Sequence, residues 1–330
     1  MVEPIILAVI LIVFALAFDF INGFHDSANS IATVVSTRVL SPQAAVLLAA
    51  VANFIGAFVF STAVAKAVGS GIIDPHAATL RVIFAALIGA IVWNLITWYY
   101  GIPSSSSHAL IGGLVGAGIS AVGIAAINFD GLKNVLFFIF LAPILGLIGG
   151  IIGMIGILWG FRKASRSANK YFRKLQLISA GFYSLGHGTN DAQKTMGIIA
   201  ATLFAAGLTS TFYVPIWVIL SAHAAIAAGT YFGGWRIVKT MGTKITKLKP
   251  MHGFAAETSS GLVLFGTAHF GIPVSTTHVI AGSIMGAGSV QRTSKVRWTL
   301  ARKILWAWII TIPVSALIAG IAYYGIFWFG

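Results

Sequence analysis

The sequence predicts an all-α polytopic membrane protein built from two inverted-topology repeats, with broken helices and re-entrant helical hairpins. Three observations predict it: scarce charge, an internal repeat, and an uneven placement of basic residues. Of 330 residues, 58% are hydrophobic and 8% charged, whereas a soluble domain carries about a quarter charged residues. A water-soluble fold is thereby excluded. Apolar stretches of spanning length recur at Pro4 to Phe20, Pro42 to Ala65, Ala77 to Trp98, Val135 to Leu158, Val214 to Phe232 and Ile304 to Phe329. They lack the period-two alternation of barrel strands, so helices are the spanning element and the lipid bilayer is the first partner.

The first apolar run begins without a basic region, and Asp19 to Asp26 does not resemble a small-residue cleavage site, so it reads as a retained helix. The chain has no cysteine, which removes disulfides, thiol nucleophiles and Cys-ligated metals. The repeat is carried by Gly101-Ile-Pro-Ser-Ser-Ser-Ser-His108, which returns as Gly271-Ile-Pro-Val-Ser-Thr-Thr-His278. From Gly101 to Gly118, nine of eighteen positions match the second copy, far above chance. A weaker pair sets His25-Asp26-Ser-Ala-Asn29 against Asn190-Asp191-Ala-Gln-Lys194. The organisation read from these frames is a first repeat at 1-160, a basic cytoplasmic linker at 161-175 and a second repeat at 176-330.

The net charge of +14 is concentrated: sixteen of the 21 basic residues lie in Phe161 to Lys174, Arg236 to Lys249 and Arg292 to Lys303, with no acid among them. That is the positive-inside signal, so these loops should face the cytoplasm, both termini should lie outside, and the cell membrane is the expected location. Aromatics interleaved with this charge are few, Tyr171 and Phe172 foremost, so no nucleic-acid partner is expected. The first-half counterparts, Lys66 to His76 and Gly123 to Lys133, carry one lysine each, as opposed orientation of the halves requires.

Glu3 to Arg38 exceeds the roughly 20 residues that cross a bilayer, and Phe18 to Asp26 puts polar residues and glycine at its middle. The partner stretch, 175–208, has Gly181 and Gly186-His-Gly-Thr-Asn190 at the same place. Both are expected to be discontinuous helices, the usual sign of a transporter's central site. Pro103 and Pro273 are each expected to begin a helix, because proline fits the first turn. The free N–H groups of those helices favour an anion, and the hydroxyls of Ser104, Ser105, Ser106, Ser107, Ser275, Thr276 and Thr277 add donors. Too few residues follow each motif to span, hence the re-entrant hairpins. The glycine run Gly112 to Gly118 reads as close helix packing, since no Gly-Lys-Ser/Thr follows it.

Intramembrane Asp26 and Asp191 are expected to take up the coupling cation, against a purely structural ion pair with Lys194. Asn22, Asn29 and Asn190 offer neutral oxygens suited to Na+, or cap half-helices. Lys194 serves as counter-charge to the substrate or to Asp191. Glu257 either completes a cation site or bonds a neighbouring helix. His25, His108 and His278 suit a proton relay, with ordinary histidine packing as the bland reading. No cofactor and no metal beyond Na+ are expected. A hydrolase would have only Ser107 beside His108, and duplication of that pair suits binding, so no enzyme is expected.

With these residues in view, the chain resembles the inorganic phosphate transporter (PiT) family over nearly its whole length. The duplicated Gly-Ala-Asn-Asp type motif stands as Gly23-Phe-His-Asp-Ser-Ala-Asn29 and Gly188-Thr-Asn-Asp-Ala-Gln-Lys194, and the Pro-Ser/Thr-rich motif as Pro103 to His108 and Pro273 to His278. The resemblance implies symport of inorganic phosphate with Na+ or H+, cations near the aspartates and phosphate at the hairpin tips. His25 stands where much of the family has asparagine, which points the first site toward protons. Sulfate carriage on the same fold and an anion channel are the alternatives; oligomeric state, a homo-oligomer included, is left open.

Overall fold

The structure, a computed structural model, describes residues 2–59, 62–163 and 168–329. The expected linker residues 164–167 lie outside these, and the remainder of that segment from Ala168 onward is already helical. Twelve α-helices run in order among the described residues: α1 (Val2–Ser36), α2 (Pro42–Ile55), α3 (Ala63–Gly71), α4 (Leu80–Tyr100), α5 (Ser106–Val122), α6 (Phe129–Gly160), α7 (Ala168–Ala205), α8 (Ile216–Phe232), α9 (Trp235–Lys239), α10 (Pro250–His269), α11 (Thr276–Ser289) and α12 (Trp298–Phe329). No strand forms among the described residues beyond a single bridge between Ile73 and Ile127.

Ile5–Ser36 of α1, all of α4 and α6, and Trp298–Gly325 of α12 are long and apolar enough to cross a membrane. Two bent helix pairs reach the same length and apolarity when each is taken as one unit. Pro42–Phe58 meets Ala63–Gly71 at 85°, and Ile216–Phe232 meets Trp235–Lys244 at 61°. The second bend falls at Gly233, whose φ of +73° a side chain would resist. Polar α7 escapes lipid by being enclosed: its residues from Gly186 to Thr202 are buried among its neighbours.

The main helix contacts come in pairs with the halves exchanged. α5 lies on α12 and α11 on α6; α1 packs on α8 and α2 on α7; α4 touches α1 and α10 touches α7. The hairpins α4–α5 and α10–α11 are thus each bedded on the last helix of the other half. Glycines permit the close approach: a Cβ on Gly116 would overlap the Ala316 carbonyl, and one on Gly286 the Leu147 carbonyl. α5 and α11, of 17 and 14 residues, extend about 25 and 21 Å at 1.5 Å per residue, short of the roughly 30 Å hydrocarbon layer.

Two expectations are corrected. First, α1 and α7 are continuous, 35 and 38 residues long, rather than broken at Phe18–Asp26 and Gly186–Asn190. The glycines there are crossing points: Gly23 packs on the Ile226 carbonyl of α8, and Gly188 on Asn53 of α2. An unbroken helix satisfies its own backbone, and the polar side chains face protein instead of lipid. Broken helices do occur, at the α2/α3 and α8/α9 bends. Second, Pro103 and Pro273 do not begin helices. Gly101 (φ +65°) and Gly271 (φ +67°) turn the chain out of α4 and α10. An extended stretch then leads to Ser105 and Ser275, whose hydroxyls accept from the His108 and His278 N–H at 3.2 and 3.3 Å. With proline first, the caps would be Ile102 and Ile272, which cannot accept; serine three residues later can.

Candidate functional site

The hairpin tips meet in the middle of the bundle against α1 and α7. His108 and His278, at equivalent places in the two repeats, touch edge to face with ring centroids 4.7 Å apart. Trp308 of α12 joins the tips: its ring stacks on His278 at 3.8 Å, and its indole N–H donates to the Pro103 carbonyl at 3.0 Å. The hydroxyl residues Ser104 to Ser107 and Ser275 to Thr277 are all buried, none above 4% exposed.

Lys194 of α7 ties this centre together. Its ammonium donates to Ser107 Oγ of the first hairpin, to Asp191 Oδ1 one turn back, and to the Val274 carbonyl of the second hairpin (2.8 Å). Asn29, its equivalent on α1, donates to Thr277 Oγ1 at 2.9 Å. Lys194 and Asn29 therefore make matching bonds, each to the corresponding hydroxyl of the other half's hairpin. Asp191 also accepts from Thr276 Oγ1 at 2.9 Å, and Tyr183 from the same helix donates to the Thr276 carbonyl.

Asp26, Asp191 and His187 form a compact group, with one ligand atom from each lying within 4.8 Å of the other two. The hydrogen-bond chain behind His187 sets its tautomer. Thr230 spends its proton on the Ile226 carbonyl and so accepts from Asn53 Nδ2 (2.8 Å each), which turns Asn53 Oδ1 toward His187 Nδ1 at 3.3 Å. Nδ1 then carries the proton. Nε2 faces Asp191 Oδ2 at 3.2 Å, an arrangement that calls for a positive charge, either a second ring proton or a bound cation.

A similar chain reaches the first aspartate. Thr97 donates to the Trp93 and Asn94 carbonyls, so its oxygen accepts from Ser104 Oγ at 2.8 Å and from His25 Nε2 at 3.0 Å. His25 Nδ1 then faces Asp26 Oδ1 at 2.6 Å. One proton must sit between those atoms, on imidazolium or on carboxyl.

The expected residues mostly converge. Ser104 to Ser107, Ser275 to Thr277, Lys194, Asp26, Asn29, Asp191, His25, His108 and His278 are in this buried centre. Asn190, also buried, has no hydrogen bond on its amide, and Asn22 has none on its carbonyl oxygen. Glu257 is elsewhere: it accepts from Gln176 (3.0 Å) and Ser179 (2.5 Å), so it bonds a neighbouring helix about 18 Å or more along α7 from Asp191 at 1.5 Å per residue. His187, Thr97, Asn53 and Trp308 went unread in the sequence. His187 was findable, since it precedes Asp191 by one helical turn; Trp308 gave no signal in an apolar helix.

Chemically, two capped helix N-termini and an ammonium offer hydrogen-bond donors and positive potential to an anion, beside two carboxylates and an imidazole that suit a cation. The phosphate transporter family model matches residues 22–319. A Rhizobium meliloti (strain 1021) protein named "Probable low-affinity inorganic phosphate transporter" is 56% identical over 95% of this chain and 95% of its own. A Bacillus subtilis (strain 168) protein of the same name is 48% identical over 97% of each. The solved structure titled "The sodium-dependent phosphate transporter" superposes with a TM-score of 0.89 at 23% identity, over 97% of this chain and 98% of that one, which establishes the fold. The chain, a multi-pass membrane protein, belongs to the phosphate transporter family.

Proposed function

We propose that this protein carries inorganic phosphate across the cell membrane in symport with a small cation, Na+ or H+. The observation that carries the reading is the meeting of both hairpin tips on Lys194, itself neutralised by Asp191. A tetrahedral oxyanion has oxygens enough for the hydroxyls and N–H groups of both tips, and Lys194 can turn from its carboxylate to the substrate. Cation binding at Asp26, His187 and Asp191, assisted by Asn29 and Asn190, then cancels the negative charge that phosphate brings to a dry interior. Membership of the family and the names of its relatives support phosphate; nothing among them supports sulfate. No covalent chemistry is required.

The exchange of helix contacts supports reading 1-160 and 176-330 as an inverted pair, and the acid-free basic loops support a cytoplasmic linker with both termini outside. His25 favours the proton as coupling ion at the first aspartate, because Ser104, Thr97, His25 and Asp26 form one hydrogen-bonded line from hairpin tip to carboxylate. Proteoliposomes with imposed gradients test the function. Radiolabelled phosphate should accumulate only with an inward Na+ or H+ gradient, and uptake at full rate without either would refute coupling. Flux far above carrier rates would point to a channel instead.

A further inference from the structure

Four carboxylates are buried among the described residues, and three have partners. Asp26 faces His25, Asp191 has Lys194, His187 and Thr276, and Glu257 has Gln176 and Ser179. Asp19 on α1 has only weaker contacts: it is 0% exposed, and neither carboxylate oxygen meets a donor in full hydrogen-bond geometry. The polar side chains facing it are Asn22 of α1 and Thr195 of α7. Both are buried, and Asn22 Oδ1 and Thr195 Oγ1 are also unpartnered. The charges that reach Asp19 are Asp191 and Lys194, which already neutralise one another. An ionised carboxylate left so is costly by several kcal/mol.

The three groups share one layer of the α1/α7 contact. Asp19 precedes Asp26 by two turns on the same stripe, about 10 Å along the axis, and Thr195 follows Asp191 by one turn. Their donor set is one carboxylate, one amide carbonyl and one hydroxyl, with no nitrogen or sulfur. Hard oxygens carrying a single negative charge suit a small monovalent cation; a divalent ion would leave net positive charge in an apolar surround, and a proton would satisfy one oxygen only.

We propose that Asp19, Asn22 Oδ1 and Thr195 Oγ1 form a further Na+ site, one layer from the Asp26–His187–Asp191 centre toward the N-terminal end of α1. The inference rests on the symport reading in that an ion held here would be a second, separately bound cation on the path to the central pair. Its occupancy would neutralise Asp19 before phosphate arrives. An ion in this layer can leave without disturbing Lys194, because it shares no ligand with the ammonium.

The test is equilibrium binding of radioactive sodium to the purified full-length protein, without phosphate and at alkaline pH. Wild type should bind Na+ saturably and Asp19→Asn should bind one ion fewer per chain. Thr195→Val keeps the charge and should weaken that ion's binding roughly tenfold or more, the scale of a lost metal-supporting group, so a folding defect in one variant does not decide the matter. Equal stoichiometry and affinity in wild type and Asp19→Asn, or no Na+ binding by wild type, overturns the site. Phosphate uptake by wild type separates the two failures: gradient-dependent uptake alongside either result sinks this site alone, whereas gradient-independent uptake sinks symport.

Discussion

At Asp26 the neighbouring group is an imidazole 2.6 Å away; at the matching Asp191 it is the ammonium of Lys194, with His187 and Thr276 besides. Around this difference the two halves agree closely. Asn29 and Lys194 reach corresponding hydroxyls, Thr277 and Ser107, on opposite hairpins, and Thr97 and Thr267 make the same back-bonds within α4 and α10. The position three residues after each aspartate thus ties an acid-bearing helix to a hairpin tip, which an amide does as well as an amine. Fixed positive charge is added in one half only. A nearly symmetric cradle thus acquires one side in which the aspartate is held in an ion pair and one in which it faces an imidazole.

Exchanging residues between the halves breaks or sharpens that contrast. The largest effect is expected from Asp191→Asn, which strands a buried ammonium: phosphate uptake should vanish, with a stability loss of about 3–5 kcal/mol measured by thermal unfolding. Near-normal uptake would remove the ion pair from the mechanism. Lys194→Asn installs the first half's residue in the second; it should fold and raise the half-saturating phosphate concentration roughly tenfold, the equivalent of one charge-assisted hydrogen bond. An unchanged value would mean that Lys194 answers only to Asp191. His25→Asn makes the first half resemble Asn190-Asp191, and initial rates should persist while their dependence on external pH flattens; a pH profile like that of wild type would exclude His25 from coupling. The smallest effects compare glycines within α7. Gly188→Ala would place Cβ 2.5 Å from the Asn53 Cα and should cost about 1–3 kcal/mol. Gly181→Ala meets only Leu48 at 4.0 Å and should be neutral or slightly stabilising, by under about 1 kcal/mol.

Much of this centre was legible in the repeated hydroxyl motifs, because a duplicated Ser/Thr run before a glycine-rich helix has few uses in lipid other than a capped helix start. The depth of Asp26 and Asp191 was legible for the same reason. The misreadings share a cause. Asp19, Asn22, Asp26, Asn29 and Thr33 recur at intervals of three and four, as do Gln176, Ser179, Tyr183, His187, Asn190 and Lys194. That spacing is the polar stripe of an unbroken helix, yet the intervening Gly23, Gly186 and Gly188 suggested breaks. Read as a break, Gly186 to Asn190 hid His187. The long-range partners Thr97, Asn53 and Trp308 had no local signal, since only the crossing of helices brings them to the site.

The exchange of hairpins has a consequence for what counts as one working unit. Neither half contains a complete cradle: the first supplies Ser107 but not Lys194, and the second supplies Lys194 but places its own tip against Asn29. A fragment of either half alone would present exposed glycine seams and an unmatched acid to lipid. Two fragments made separately in the same membrane, by contrast, have every surface needed to complement each other, so the peptide joining them enforces equal numbers and proximity without itself building the site.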